Sequence, residues 1–546
     1  MIEIPNHLSA LDLLIIISYF LLVLFVTLMV VLKGRGKTKS FFEDSEDYFL
    51  GGRDLSWFAI GASLFASNIG SEHLVGLAGQ GASGEFVAAQ FEILAALMLL
   101  LLGWLFVPFY LKSGVSTMPE FLEQRYGVGT RQYLSWVSIV SYIMTKISVT
   151  IAAGAIVFNA LLGVEFWTGA IFIVVITGLY TILGGLKAVV YTDLIQMIIL
   201  IIGSVVLTIY GLDEIGGINQ LIEKTDQTYL TLWRPLSDPE FPWTGILFGA
   251  PILGIWYWCT DQFIVQRVLA AKDLSNARKG TIFAGYLKLL PLFIFVLPGV
   301  VAYIITSEPD PLFEFQTIDG KTQYDAALPL LVVHVLPAGL KGLVVAGLLA
   351  ALMSSLSSVF NSCSTLFTLD IYKKYKPETS EKHLVRIGQV STLILVVLGL
   401  IWIPMLNLIE GGIFQKLQSI QAYIAPPIAA VFLLGLFIPK LNYKGAMASL
   451  LTGAGLGVTR LVLELNKSSI DGVWLSTADI NFLHFALLLF FICSIVLVTV
   501  SHLTQSQETK DISLLVFDRS KFTFDKIDAA ITLGLLALVL VIWMLF

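Results

Sequence analysis

Long apolar stretches separated by short polar connections dominate the chain. About fourteen of them approach the ~20 residues that a helix needs to cross a membrane. They fall near 9–32, 54–80, 85–111, 132–160, 164–184, 188–211, 244–265, 279–305, 338–366, 385–405, 416–438, 443–464, 480–501 and 525–545. The pattern predicts an all-α polytopic membrane protein with about fourteen transmembrane helices. Two segments depart from plain apolar sequence. The second, ASLFASNIGSEHLVGLAG, carries Asn68, Ser71, Glu72 and His73 in its middle. The seventh contains WYWCTDQFIVQR (256–267) and begins with Gly249, Pro251 and Gly254, which weaken a helix. Polar groups at membrane depth are costly unless they line a wet cavity, and interrupted helices commonly do so. The two segments lie five spans apart, as expected of two inverted five-helix repeats whose first helices are broken. The expected repeats are residues 54–212 and 243–438. A peripheral helix with its inner loop (1–53) precedes them, an outer loop (213–242) joins them, and three peripheral helices (439–546) follow. The alternative is two helices merely kinked by glycine and proline.

Composition agrees with the membrane reading: 13% of residues are charged and the mean hydropathy is +0.85. Orientation follows from Lys and Arg placement rather than from the net charge of −6. Lys33, Arg35, Lys37 and Lys39 follow the first span and no Lys or Arg precedes it. The first span is therefore expected to stay as an anchor with the N-terminus outside. Lys112, Arg125, Arg131, Lys272, Arg278, Lys279, Lys373, Lys374, Lys376, Lys440 and Lys444 then fall inside. Cys259, Cys363 and Cys493 all lie in spans, which argues against a disulfide framework.

Within the spans, Glu92 and Lys288 each need a partner or a watery pocket. Two readings stand: a fixed ion pair that staples helices, or a carboxylate and an ammonium that together bind a polyol. Asn68, His73 and Gln418 can both donate and accept hydrogen bonds, although each also has a plain packing or interfacial reading. In MSSLSSVF, Ser354, Ser357 and Ser358 lie within about one helical turn. Hydroxyls with carbonyls freed at a helix break suit a hard cation such as sodium, and the alternative is interhelical packing. Asp193, at the inner end of the sixth span, is either part of that chemistry or an interfacial carboxylate.

SLFASNIGSEHLVGLAG, WYWCTDQFIVQRVLAAK, YLKLLP, MSSLSSVFNSCSTLFTLDIYK and YIAPPIAAVFLLGLF together resemble the motifs of the sodium/glucose cotransporter branch of the solute:sodium symporters. The resemblance implies a LeuT-type fold, a 5+5 inverted repeat with two broken helices, working by alternating access. It implies that Asn68, His73, Glu92, Tyr257, Trp258, Lys288 and Gln418 contact a monosaccharide, with Tyr257 closing its inner side. Leu77, Phe91 and Phe414 would form an outer gate. A Na+ site would use Ala66 and Ile69 through their carbonyls, with Ala351, Ser354 and Ser355. A second Na+ site would use Asp193, Ser354, Ser357 and Ser358, giving two sodium ions per sugar. The expected partners are sodium, a monosaccharide and the lipid bilayer, with no nucleic acid and no obligate protein partner. The short connection 503–524 points to a bacterial inner (plasma) membrane. Rival readings are a symporter of myo-inositol or sialic acid and a sodium-dependent sugar sensor or leak. No HExxH, GxSxG or phosphate-cradling motif points to an enzyme.

Overall fold

A computed structural model describes residues 8–35, 44–226, 228–318, 320–403, 413–504, 511–517 and 525–546. Among these, eleven helices are long and apolar enough to cross a membrane. The protein is a multi-pass membrane protein. The number is below fourteen for three physical reasons. Phe166–Glu214 runs as one 49-residue element but is broken at Gly185 (φ 54°, ψ −161°), where Tyr48 and its carbonyl crowd the backbone. The second and seventh segments are each divided into halves that are individually too short.

The serine-rich helix lies at the centre. Within the most apolar part of Leu340–Tyr375, 94% of residues are buried, against 28% for Ala10–Leu32 and 22% for Lys526–Leu545. The latter two are peripheral and face lipid. Asp12 ties the first helix to the central one: its Oδ1 accepts the N–H groups of Gly339 (2.7 Å) and Gly342 (2.6 Å). That places a carboxylate at a helix N-terminus, which the helix dipole favours. The last helix is held by Trp543, which donates to Gln90 at 2.8 Å.

Both interruptions are real. Trp57–Asn68 stops at Ile69 (φ −80°, ψ 93°) and Gly70 (φ −92°, ψ 177°), and a helix resumes over Ser71–Ser83. The second interruption is not where Gly249, Pro251 and Gly254 placed it. That part is helical: a π turn at Gly245–Gly249 precedes Pro251, which sits in the first turn of the next helical piece and so has no backbone N–H to lose. The glycines serve packing instead. A Cβ on Gly254 would lie 2.6 Å from Met98 Cγ, and one on Gly249 would lie 2.3 Å from the Leu483 carbonyl. The chain breaks at Asp261 (φ −80°, ψ 128°), between the π turn Ile255–Thr260 and the helix Gln262–Leu269.

Candidate functional site

Between the two interruptions lies a cavity of about 60 Å3. Six of the seven residues expected to contact solute line it: Asn68, His73, Glu92, Tyr257, Trp258 and Gln418. The seventh, Lys288, is fully buried behind them. Its ammonium donates to Glu92 Oε2 and to Asn68 Oδ1. Asn68 in turn donates to the Tyr257 hydroxyl at 2.9 Å, and His73 Nε2 lies 4.0 Å from Glu92 Oε1. One connected network thus links the first break, the third span, the eighth span and the π turn before the second break. Trp258 adds its ring 5.4 Å from the Lys288 ammonium. Fixed pair and polar wall are therefore the same object.

Of the three residues expected to form a gate, Phe91 lines the cavity and Leu77 is buried. The Phe414 side chain lies outside the described ones. Just before the helix of the third span begins at Phe86, burial pushes the Glu85 carboxyl up to about 7, against the opposing pull of Arg234. An acid whose folded pKa is raised loses stability on ionising, so stability rises as pH falls from 8 to 6. Hydrogen-exchange protection factors at 229–234, corrected for the intrinsic pH dependence of exchange, should rise over that range, because Tyr229 and Arg234 bond the carbonyls of Gly81, Ala82 and Gly84 beside it. Glu85→Gln should abolish the difference.

Ala66, Ile69, Ala351, Ser354 and Ser355 are all buried, and Ser355 donates to the Ser67 carbonyl at 2.8 Å, joining the central helix to the first break. Around the second expected Na+ site, Asp193 accepts from Ser354 (2.6 Å), Ser63 (2.5 Å) and Ser67 (3.1 Å). Ser358 is 2.8 Å from Ser67, whereas Ser357 turns back to the Ser354 carbonyl. Sequence reasoning missed two participants. Arg267, completely buried, donates to Ser63, Ser67 and Ser358, and the first two of these hydroxyls also donate to Asp193. Lys146 lines the solute cavity and bonds Asp261 at 2.5 Å. A charge in an apolar span was the available signal for Lys146, as it was for Glu92 and Lys288. Among the described residues, no group of three or more His, Cys, Asp or Glu could hold a metal ion.

Residues 48–453 match the Sodium:solute symporter family. The chain belongs to this family. The symporter is 41% identical to sodium/glucose cotransporter 1 of Ovis aries over 91% of its own length and 79% of the relative's. It is 39% identical to sodium/glucose cotransporter 2 of Rattus norvegicus over 95% of its length and 82% of the relative's. Among solved structures, a Na+-coupled sialic acid symporter in a substrate-bound outward-open state superposes with a TM-score of 0.77 at 21% identity, covering 91% and 98% of the two chains. Mhp1, a nucleobase-cation-symport-1 family transporter, gives 0.53 at 12% identity, covering 86% and 98%. These likenesses place the symporter in the LeuT-type fold.

Proposed function

We propose that this symporter couples inward sodium flow to uptake of a neutral monosaccharide of the glucose or galactose type, by alternating access in a plasma membrane, that of a bacterium. The observation that carries the reading is the engagement of both lysines at the cavity. Lys288 is held by Glu92 and Asn68, and Lys146 by Asp261. A carboxylate-bearing solute needs an available cationic or helix-terminal site. Balanced charges with amide, imidazole and aromatic groups suit hydroxyls on a ring instead. The named sodium/glucose relatives point the same way.

In this account Glu92 accepts sugar hydroxyls, and Asn68, His73 and Gln418 donate and accept around the ring. Lys288 acts through Glu92 and Asn68 until the cavity opens. Tyr257 and Trp258 pack on its faces. Leu77, Phe91 and Phe414 close the outer side. At about 60 Å3 the cavity is smaller than a pyranose with its hydroxyls, so loading requires the walls to part. Sodium at Ala66, Ile69, Ala351, Ser354 and Ser355 pins the first break against the central helix and favours the outward-open form. The repeats 54–212 and 243–438 then move past one another. A potential of ~100 mV supplies ~2.3 kcal/mol per charge. A tenfold sodium gradient adds ~1.4 kcal/mol, so one ion supports several-hundred-fold accumulation and two roughly its square.

The test is uptake of a labelled-hexose panel into proteoliposomes with and without a sodium gradient. Uptake should require sodium and collapse with an ionophore. Sodium current without sugar uptake would indicate the sensor reading. With Asp193, Ser354, Ser357 and Ser358 binding a second ion, the charge-to-sugar ratio should be two. A ratio of one would mean that Arg267 keeps the Ser63, Ser67 and Ser358 hydroxyls to itself.

A further inference from the structure

We propose that the buried Lys146–Asp261 pair is an inner latch, and that its separation accompanies release of solute to the cytoplasm; the inference rests on the transport reading above. Lys146 and Asp261 are 7% and 3% exposed, and their charged atoms lie 2.5 Å apart. Lys146 sits in the π turn Ile143–Ile147 of the fourth span, which leaves that helix locally deformable. Asp261 is the non-helical residue of the seventh segment, the point at which its halves can swing. The pair therefore joins a deformable turn to a hinge.

The surroundings explain why it would be bistable. Tyr142 donates to the other Asp261 oxygen. The Lys146 ammonium lies 4.0 Å from the Phe263 ring centre and 4.4 Å from that of Tyr257. Aromatic faces stabilise a cation and exclude water. Pulling the charges apart without water is costly, so the pair is held until water enters from the inner side. Below it, Gln262 accepts from the Met118 N–H at 2.8 Å and Gln266 donates to the Phe49 carbonyl at 2.7 Å. Both partners belong to elements flanked by inner-side basic residues. Above it, Lys146 and Tyr257 both line the solute cavity. A solute hydroxyl bonded to Lys146 would compete with Asp261, which links loading to release.

Native Cys259 reports the latch, because it is fully buried two residues before Asp261. In a Cys363→Ser/Cys493→Ser background, Cys259 alkylation by a membrane-impermeant maleimide is followed in proteoliposomes of defined orientation, without sodium or sugar. Lys146→Met and Asp261→Asn should each raise inner-side alkylation about a hundredfold, the scale expected when a buried pair loses a partner. The neutral double variant Lys146→Met/Asp261→Asn leaves no orphaned charge and should fold, yet label as fast as the single variants. Lys146→Arg should remain protected. Protection of the double variant at the wild-type level, or equal labelling from outside, would overturn the latch. The readout needs no sugar, so a wrong solute assignment cannot imitate either result.

Discussion

Lys288→Met and Glu92→Gln should each lower sodium-driven sugar uptake about a hundredfold or more. The two side chains are buried and directly bonded. Removing one partner leaves the other without its counter-charge, a loss of about 3–5 kcal/mol, or roughly two to four powers of ten. Part of that loss falls on folding, so the decisive variant is Glu92→Gln/Lys288→Met. With both charges gone the helices should pack at near wild-type stability, because a buried pair adds little net stability over a neutral replacement. Uptake should nevertheless stay at the level of the single variants, since Asn68, Tyr257 and Glu92 are oriented through Lys288. Wild-type transport by a folded double variant would reduce the pair to a staple.

The second large effect concerns the charges of Asp193 and Arg267. Asp193→Asn should reduce the yield of folded protein severely, because the fully buried Arg267 shares the hydroxyls of Ser63 and Ser67 with that carboxylate. An orphaned guanidinium there costs about 3–5 kcal/mol. Asp193→Asn/Arg267→Met should recover the fold and separate the two roles of Asp193. If the carboxylate binds sodium, thermal stability of the double variant should lose much of its sodium dependence, and the charge-to-sugar ratio should fall. Unchanged sodium dependence would confine Asp193 to neutralising Arg267.

Much of this architecture is legible in the sequence because the bilayer imposes a length and a polarity on every span. The second segment announced its break through Asn68, Ser71, Glu72 and His73, and the chain does part at Ile69 and Gly70. The seventh was misjudged in its cause. Glycine and proline usually weaken helices, but here Gly249 and Gly254 admit Leu483 and Met98, and the chain instead parts at Asp261, a polar residue that caps the next helix. π turns leave no periodic signature in one sequence, so the one that holds Lys146 was invisible. Which hydroxyls Arg267 would share with Asp193 was also beyond sequence. They lie 74 residues apart in the chain and meet only through the serines of the first broken helix.

In the proposed mechanism, sodium at the broken second segment stabilises the form that captures sugar. Equilibrium binding of labelled hexose to the purified protein, in sodium and then in choline at equal ionic strength, measures it most directly. We predict affinity at least tenfold weaker in choline, a coupling of about 1.4 kcal/mol or more. Equal affinity in the two salts would contradict the account.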